Sequence, residues 1–272
     1  MIDSYSNHSH EAHLRRNLCE AGRRMFLQGF AAGSDGNLSA RLDDKHLLIT
    51  PSGFSKGHLE PEQLVTIDLD GQLIPSYHPA RRHLRPSSET NMHLEAYRQR
   101  LDVRAVIHAH PPMGIACTVA GVALDRCVLP EVIYHLGSIP TAPYATPGTP
   151  EGADSVRDLV KHHDAMLLDH HGSLTLGVDI FQALMRLEWI EQAAKVMLAA
   201  SAIHPVADLP MLAVERLQSI REGALARAGR EESARCSACQ WNPTPPPPDG
   251  ALVEAVTRAV LAAIEPLLRE RT

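Results

Sequence analysis

Residues 105–112 read Ala-Val-Ile-His-Ala-His-Pro-Pro, and this stretch carries the strongest structural signal in the chain. Its apolar residues recur with a period of two, which predicts a strand over residues 103–109. Since residues i and i+2 of a strand face the same side, His108 and His110 would present two imidazoles next to each other. Such a pair can bind one divalent cation, although a His-x-His pair at a strand end often has no function.

A second histidine cluster strengthens the metal hypothesis. Residues 167–172 read Leu-Leu-Asp-His-His-Gly, an apolar strand that ends in His170, His171 and a glycine that lets the backbone turn. Glu89 lies at the start of a predicted helix and is a candidate acid/base group. It can also be interpreted as a first-turn glutamate that the helix dipole favours.

Three loops of small residues indicate an anion site. They are residues 36–39 (Gly-Asn-Leu-Ser), residues 50–53 (Thr-Pro-Ser-Gly) and the pair Ser87-Ser88. Each loop offers hydroxyl, amide or backbone N–H donors, and the third lies at a helix N-terminus, where a phosphate is stabilised. None contains the P-loop pattern with its lysine, so a nucleoside triphosphate is not indicated. Taken singly, each loop is more often only a turn.

Around these motifs, segments with strand periodicity alternate with segments of helix periodicity. Because several strands follow one another as hairpins, a mixed α/β protein is expected rather than a purely parallel sheet. The predicted helices span residues 13–30, 87–99, 114–119, 150–163, 180–202 and 211–228. The predicted strands span residues 37–41, 46–50, 65–69, 72–74, 103–109, 165–169 and 173–178.

The composition and the charge exclude several classes of protein. The chain has 272 residues and a net charge of −6, which argues against a nucleic-acid-binding surface. No apolar run approaches the roughly 20 residues that span a bilayer, and residues 1–7 lack the pattern of a signal peptide. Five cysteines in a chain of this length do not make a disulfide scaffold. We therefore expect a cytoplasmic protein without nucleic-acid or membrane partners.

The composition changes after residue 228, and the end of the chain is expected to differ from the rest. Cys236 and Cys239 lack the second cysteine pair of a zinc ribbon and are interpreted as a flexible pair that is inert or occasionally oxidised. The last segment has an apolar stripe that must be buried against its own domain, a neighbouring subunit or another protein. Four segments are thus predicted: a flexible N-terminus (1–12), a folded domain (13–228), a Cys- and Pro-rich linker (229–250) and an amphipathic C-terminal helix (251–272).

The ordered set of motifs resembles the class II aldolase/adducin family over roughly residues 13–220. The resemblance implies a three-layer α/β fold with a mixed, mostly antiparallel central sheet flanked by helices. It also implies a homotetramer with active sites at the subunit interfaces, and it makes residues 13–228 a catalytic domain. The motifs lie at residues 36–39, 49–53, 87–89, 108–110, 142–145, 148–149 and 170–172.

The same resemblance assigns the site residues. It implies Zn²⁺, with Mn²⁺ or Fe²⁺ as alternatives, held by His108, His110 and His171. It makes Glu89 the acid/base and places Tyr134 where it would reach the site of a neighbouring subunit. The substrate phosphate would be held by Gly36, Asn37, Ser52, Gly53, Ser87 and Ser88.

For function, the resemblance implies a metal-dependent aldolase, a lyase of carbohydrate metabolism. It would cleave a ketose or deoxyketose 1-phosphate, such as L-fuculose 1-phosphate in fucose degradation, to dihydroxyacetone phosphate and an aldehyde such as lactaldehyde. The alternatives are a decarboxylase, a dehydratase or a pentulose-phosphate 4-epimerase of the same fold, and a non-enzymatic adducin-like binding protein. The sequence departs from the pattern of these aldolases at one point. They use a tyrosine near the C-terminus, whereas no tyrosine follows Tyr144 in this chain.

The linker and the C-terminal helix also resemble the peptides that carry enzymes into bacterial microcompartments. A microcompartment shell protein is therefore a further expected partner, and the interior of such a shell a further expected location.

Overall fold

The computed structural model describes residues 2–229 except residues 77, 79, 80 and 82. The predicted linker from residue 230 onward, with Cys236 and Cys239, and the predicted C-terminal helix lie outside the described residues. None of the described helices is both long enough and apolar enough to cross a membrane.

The centre of the fold is a sheet of seven strands in the order β3-β2-β1-β4-β7-β6-β5. Neighbouring strands are antiparallel except β5 and β6, which are parallel. The predicted mixed, mostly antiparallel sheet is thus confirmed. The strands are β1 (Asn37–Arg41), β2 (His46–Ile49), β3 (Val65–Asp68), β4 (Ala105–Ala109), β5 (Thr141–Ala142), β6 (Ala165–Leu168) and β7 (Gly172–Gly177).

Helices cover both faces of this sheet, as the three-layer prediction requires. Because side chains alternate along a strand, β4 contributes to the hydrophobic cores on both faces of the sheet. Its Val106 packs in the core formed with helices α2 and α5, whereas Ile107 packs with helices α1 and α6. The helices are α1 (Ile2–Leu27), α2 (Thr90–Gln99), α3 (Pro112–Val119), α4 (Pro130–His135), α5 (Glu151–Val160), α6 (Ile180–Ser201) and α7 (Met211–Arg227).

Several boundaries differ from the predicted ones. Residues 72–74 do not form a strand, because only Leu73 pairs, in an isolated bridge with Ile67, while the Asp68 side chain caps the turn. Helix α2 begins at Thr90 rather than at residue 87, so Glu89 is the residue before the helix. The short elements α4 and β5 were not predicted, since six and two residues are too few to show a period.

The first helix also begins earlier than expected. Helix α1 starts at Ile2, whereas the hydrophobic pattern placed its start at His13. Residues 2–12 carry no apolar stripe strong enough to indicate a helix, and helix ends are difficult to place from periodicity. The flexibility of residues 1–12 stays a prediction.

Candidate active site

Three histidines from two neighbouring strands meet at one end of the sheet. His108 lies in β4, His110 follows the end of that strand, and His171 lies between β6 and β7. Because β4 and β7 are antiparallel neighbours, with Ala109 opposite Ser173, the turn before β7 lies beside the end of β4. One nitrogen atom from each of the three imidazoles lies within 4.8 Å of the others. The structure therefore brings together all three predicted metal ligands.

A hydrogen bond orients the imidazole of His108, and a carboxylate lies beside that of His110. The Nδ1 atom of His108 lies 2.9 Å from the carbonyl oxygen of Ser173. A carbonyl can only accept, so Nδ1 carries the proton and Nε2 of neutral His108 carries a lone pair. Nδ1 of His110 lies 3.4 Å from an Asp35 carboxylate oxygen, a partner that favours the same tautomer. Both imidazoles thereby direct a free Nε2 towards the centre of the cluster.

The resulting arrangement fits a divalent cation. The Nε2 atoms of His108 and His110 lie only 3.0 Å apart. Two lone pairs at that distance repel each other unless a proton or a metal ion lies between them. Burial, together with the neighbouring His108 and His171, lowers the pKa of His110 to about 4, which keeps it neutral as metal ligation requires. Three imidazoles form a common ligand set for catalytic Zn²⁺.

The carboxylate of Glu89 lies next to two of the three histidines. Its Oε2 is 3.2 Å from Nε2 of His108, and its Oε1 is 3.2 Å from Nε2 of His171. Burial alone would raise the pKa of this carboxyl, but His108 and His171, when each carries a proton on Nε2, outweigh burial and hold the pKa below its usual range. Its buried Oε1 makes no hydrogen bond within the described part of the chain. Glu89 is therefore an ionised carboxylate with an oxygen atom available to a metal or a proton.

Close backbone packing allows His171 to approach the end of β4. A side chain at Gly172 would clash with the carbonyl oxygen of Ala109 and contact the ring of His110, so only glycine fits there. The preceding residue, His170, is exposed, and its Nδ1 lies 2.8 Å from Asp169. The structure thus places His171 in the cluster and directs His170 away from it, as the sequence predicted.

A cleft adjoins the histidine centre. It has a volume of about 330 Å³. The loop that carries Ser52 is held beside Ser87, because Ser87 N–H donates to the Thr50 carbonyl and Ser52 N–H to that of Arg85. The cleft is lined by all six residues predicted to hold a phosphate, Gly36, Asn37, Ser52, Gly53, Ser87 and Ser88, and by Glu89, His110 and His171. Lys56, which the sequence analysis did not select, also lines it.

A chain of hydrogen bonds beneath the cleft fixes the orientation of Asn37. The Asn37 amide nitrogen donates to Glu89 at 2.9 Å, so its carbonyl oxygen faces Nε2 of His93 at 2.5 Å and Nε2 must carry the proton. Nδ1 of His93 then accepts from Ser39 at 2.7 Å, and the Ser39 oxygen accepts from the Tyr97 hydroxyl at 2.9 Å. Burial lowers the pKa of His93 to about 3, which keeps it in this neutral form.

We expect His93→Leu to lower the free energy of unfolding by about 2–4 kcal/mol, because it leaves the buried Asn37 carbonyl without a donor and the Ser39 hydroxyl proton without an acceptor. Chemical denaturation of the two proteins at pH 7.5 measures the difference. His162→Leu is the control, since His162 is exposed and its replacement should change stability by less than about 0.5 kcal/mol.

The same variant has an expected pH dependence. The unfolded chain protonates His93 near pH 6.5, whereas the folded protein resists protonation down to about pH 3. The wild-type protein therefore loses stability as the pH falls through this window, and His93→Leu should lose less over the same range. Equal stability and equal pH slopes would contradict the assigned hydrogen bonds.

Tyr134 is the predicted site residue that the fold does not bring to this cleft. It lies in α4, where its ring contacts His135, and its carbonyl oxygen accepts from Arg221 of α7 at 2.9 Å. The side chain is 37% exposed and is not among the residues that line the cleft. A role for Tyr134 therefore requires a second subunit and stays a prediction.

The fold and the site together define a class of protein, an α/β protein with a candidate metal centre of three histidines beside a polar cleft. The chain belongs to the class II aldolase and adducin family. The family model described as "Class II Aldolase and Adducin N-terminal domain" matches residues 16–198. The resemblance inferred from the motifs is thereby confirmed.

Relatives with two different activities are similar to this chain. The 3-oxo-tetronate 4-phosphate decarboxylase of Escherichia coli K12 is 32% identical over 192 residues, 69% of this chain and 87% of the relative. The L-fuculose phosphate aldolase of the same strain is 34% identical over 215 residues, 77% of this chain and 93% of the relative.

Solved structures of aldolase-related proteins are also similar to this chain. YgbL of Escherichia coli, described as a putative aldolase/epimerase/decarboxylase, superposes with a TM-score of 0.69 and 29% identity, covering 76% of this chain and 99% of that one. An L-fuculose 1-phosphate aldolase superposes with a TM-score of 0.68 and 27% identity, covering 76% and 94%.

Proposed function

We propose that this protein is a divalent-metal-dependent aldehyde-lyase. It cleaves a ketose or deoxyketose 1-phosphate, such as L-fuculose 1-phosphate, into dihydroxyacetone phosphate and an aldehyde such as lactaldehyde. The main support is that the candidate phosphate residues and the candidate metal centre border one cleft. The 34% identity to an L-fuculose phosphate aldolase, over most of both chains, supports the same reaction.

In this proposal the cleft positions the substrate by its phosphate. Small residues at positions 36, 37, 52, 53, 87 and 88 donate N–H and O–H groups to the phosphate oxygens. The ketone and its neighbouring hydroxyl then lie beside the three histidines. A divalent cation held by His108, His110 and His171, Zn²⁺ or alternatively Mn²⁺ or Fe²⁺, would polarise the ketone oxygen.

Glu89 carries the proton of the reaction. When the C3–C4 bond breaks, its electron pair passes to C3 and is delocalised onto the ketone oxygen, while C4 loses its hydroxyl proton and becomes the aldehyde. The proton released from the C4 hydroxyl passes through Tyr134 and solvent to the ionised Glu89, which then transfers it to C3 and completes dihydroxyacetone phosphate, so that one proton is lost at C4 and one is gained at C3. Tyr134 from a neighbouring subunit is the group proposed to exchange the C4 hydroxyl proton.

Decarboxylation is a second candidate, and two observations favour it. One is the 32% identity to 3-oxo-tetronate 4-phosphate decarboxylase. The other is that no tyrosine follows Tyr144. In aldol cleavage the departing aldehyde gives up its hydroxyl proton to a base, whereas a departing CO₂ has no proton to give up, so decarboxylation does not require a tyrosine near the C-terminus. Loss of CO₂ from a 3-oxo-tetronate 4-phosphate leaves an electron pair next to the ketone, and protonation there also gives dihydroxyacetone phosphate.

One assay separates the candidates. The purified protein is incubated with L-fuculose 1-phosphate and with 3-oxo-tetronate 4-phosphate, and dihydroxyacetone phosphate, lactaldehyde and CO₂ are measured. Metal analysis is made on the same preparation. We expect lactaldehyde from the first substrate; CO₂ from the second alone would establish the decarboxylase instead. Release of neither product by a metal-loaded preparation would contradict both and leave dehydratase, epimerase or adducin-like binding roles.

Ser88→Ala is expected to raise KM about 10-fold and to leave kcat within about 3-fold, because it removes one hydrogen bond to a charged group. Ser87 is a less suitable choice, since its hydroxyl oxygen accepts from the Glu89 N–H at 3.3 Å and supports the turn. Steady-state kinetics measure the effect, with the exposed Ser201→Ala as the control. An unchanged KM would remove Ser88 from the phosphate site.

The assembly and the end of the chain extend the proposal. We propose a cytoplasmic homotetramer with active sites at the subunit interfaces, which light scattering of the purified protein tests.

The segment 251–272 is proposed to bind a microcompartment shell protein. Truncation after Gly229 should then leave an active tetramer, and residues 243–272 should recruit a fluorescent protein to shells. A truncated protein that fails to fold would place this segment in the core.

A further inference from the structure

Lys56 is a buried lysine beside the candidate phosphate site. It begins a short 3₁₀ turn, Lys56–His58, shortly after the loop that contains Ser52 and Gly53. The side chain is 2% exposed. It nevertheless lines the cleft, so its buried charge borders the place where a substrate would bind.

Two backbone carbonyl groups hold the ammonium group of Lys56. Its Nζ donates to the carbonyl oxygen of Ser34 at 2.7 Å and to that of Phe54 at 2.6 Å. These carbonyls belong to the loops that also carry Gly36 and Gly53. An ammonium group has three N–H donors, so one remains after these two bonds. Lys56 therefore links both loops and still has a donor for a ligand.

Among the described residues, no carboxylate neutralises the charge of Lys56 through an ion pair. Within the described residues, no carboxylate oxygen forms a salt bridge with its Nζ. Burial lowers the pKa of Lys56 to about 8, and the attraction of Asp35 and Glu89 partly opposes that effect. Lys56 is thus mostly protonated at neutral pH, and a buried charge of this kind is stabilised by a counter-ion.

The other candidate phosphate residues supply no positive charge for a phosphate group. Gly36, Asn37, Ser52, Gly53 and the serines at 87 and 88 donate hydrogen bonds but carry no charge. A phosphate monoester near pH 7 carries almost two negative charges. Neutral donors position such a group, whereas a nearby cation favours it over an uncharged hydroxyl.

We propose that Lys56 binds the phosphate group of the substrate and makes the cleft selective for phosphorylated substrates. The inference rests on the proposed function, since it concerns the same cleft, but it can be tested by anion binding alone. A lysine that only linked the two loops would contribute hydrogen bonds and no selectivity.

The test compares Lys56→Gln and Lys56→Arg in the full-length, metal-loaded protein. Isothermal titration calorimetry measures the affinity for inorganic phosphate, with acetate as a carboxylate probe. We expect Lys56→Gln to weaken phosphate binding by about 10-fold or more and Lys56→Arg to retain most of it, because arginine keeps the charge. Lys45→Gln is the control, since Lys45 is exposed.

Activity supplies a second readout. The ratio of kcat/KM for L-fuculose 1-phosphate to that for unphosphorylated L-fuculose should fall about 10-fold in Lys56→Gln. A loop-linking role would lower both values equally.

Unchanged phosphate affinity in Lys56→Gln, an effect on acetate alone, or a Lys56→Arg variant no better than Lys56→Gln would each overturn the inference. If Lys56 contributes to phosphate binding but neither sugar substrate is cleaved, the proposed function fails and the inference stands.

Discussion

Replacing His108, His110 or His171 by alanine is expected to remove the bound metal and with it the catalytic activity. Each substitution leaves two imidazoles, and two ligands seldom retain a catalytic Zn²⁺. Changing a group that merely orients a ligand already costs 10–100-fold in metal affinity. We therefore expect losses of more than about 100-fold here. Metal content after dialysis, measured by mass spectrometry, and turnover of the same samples give the result.

His170 offers a matched control in the adjacent position. It is an exposed histidine with a φ of 55°, the left-handed region of the backbone. Asparagine tolerates that conformation better than alanine, so His170→Asn isolates the loss of the imidazole from backbone strain. This variant should keep its metal and most of its activity. A His171→Ala protein with stoichiometric metal, or a His170→Asn protein without it, would overturn the ligand assignment.

Glu89→Gln is expected to lower kcat by about 10²–10⁴-fold, the contribution of a positioned acid or base. The amide has nearly the same shape, and its oxygen can still accept from Asn37, but it cannot carry the proton to C3. The three histidines are unchanged, so most of the metal should remain. Steady-state kinetics and metal analysis of the variant test these expectations together.

Glu95→Gln is the control for this substitution. Glu95 is a buried glutamate on α2 whose carboxylate binds Gln99 and Arg157 at 2.8 Å, and it is not among the residues that line the cleft. Its replacement should change stability more than kcat. A Glu89→Gln enzyme with wild-type turnover would mean that another group transfers the proton.

Some residues of the candidate site could be predicted from the sequence, because a short sequence pattern fixes where their side chains lie. A period of two in β4 places His108 and His110 on one side of the strand, whatever the rest of the chain does. His171 is followed by Gly172, and a glycine at the end of a strand indicates that the backbone turns there or packs closely against another segment. Glu89, Ser87 and Ser88 form a polar run directly before an amphipathic helix. These signals come from neighbouring residues, and they predicted residues that the fold brings together.

Lys56 and His93 could not be predicted in the same way. Lys56 is one lysine in a loop, and its burial follows from the packing of helix α1 against the Lys56–His58 turn. His93 lies on an amphipathic helix, where a buried histidine has no distinguishing pattern. Its partners, Asn37 and Ser39, are more than 50 residues away. Contacts at such separations leave no periodic signal in the chain.

By itself, the sequence determined the class of fold and the pair His108 and His110, because strand periodicity is a local property of the chain. Its ordered motifs determined the family, and the resemblance to that family selected His171 as the third histidine. The tertiary structure alone decided that His110, His171 and the candidate phosphate residues border one cleft, with His108 next to His110. Antiparallel pairing of β1, β4 and β7 places Asn37, His108 and Gly172 at the same end of the sheet, although they are distant in the chain. It also decided that the buried ammonium of Lys56, which has no ion-pair partner among the described residues, lies among neutral donors, since burial and charge pairing depend on every segment that packs around a side chain.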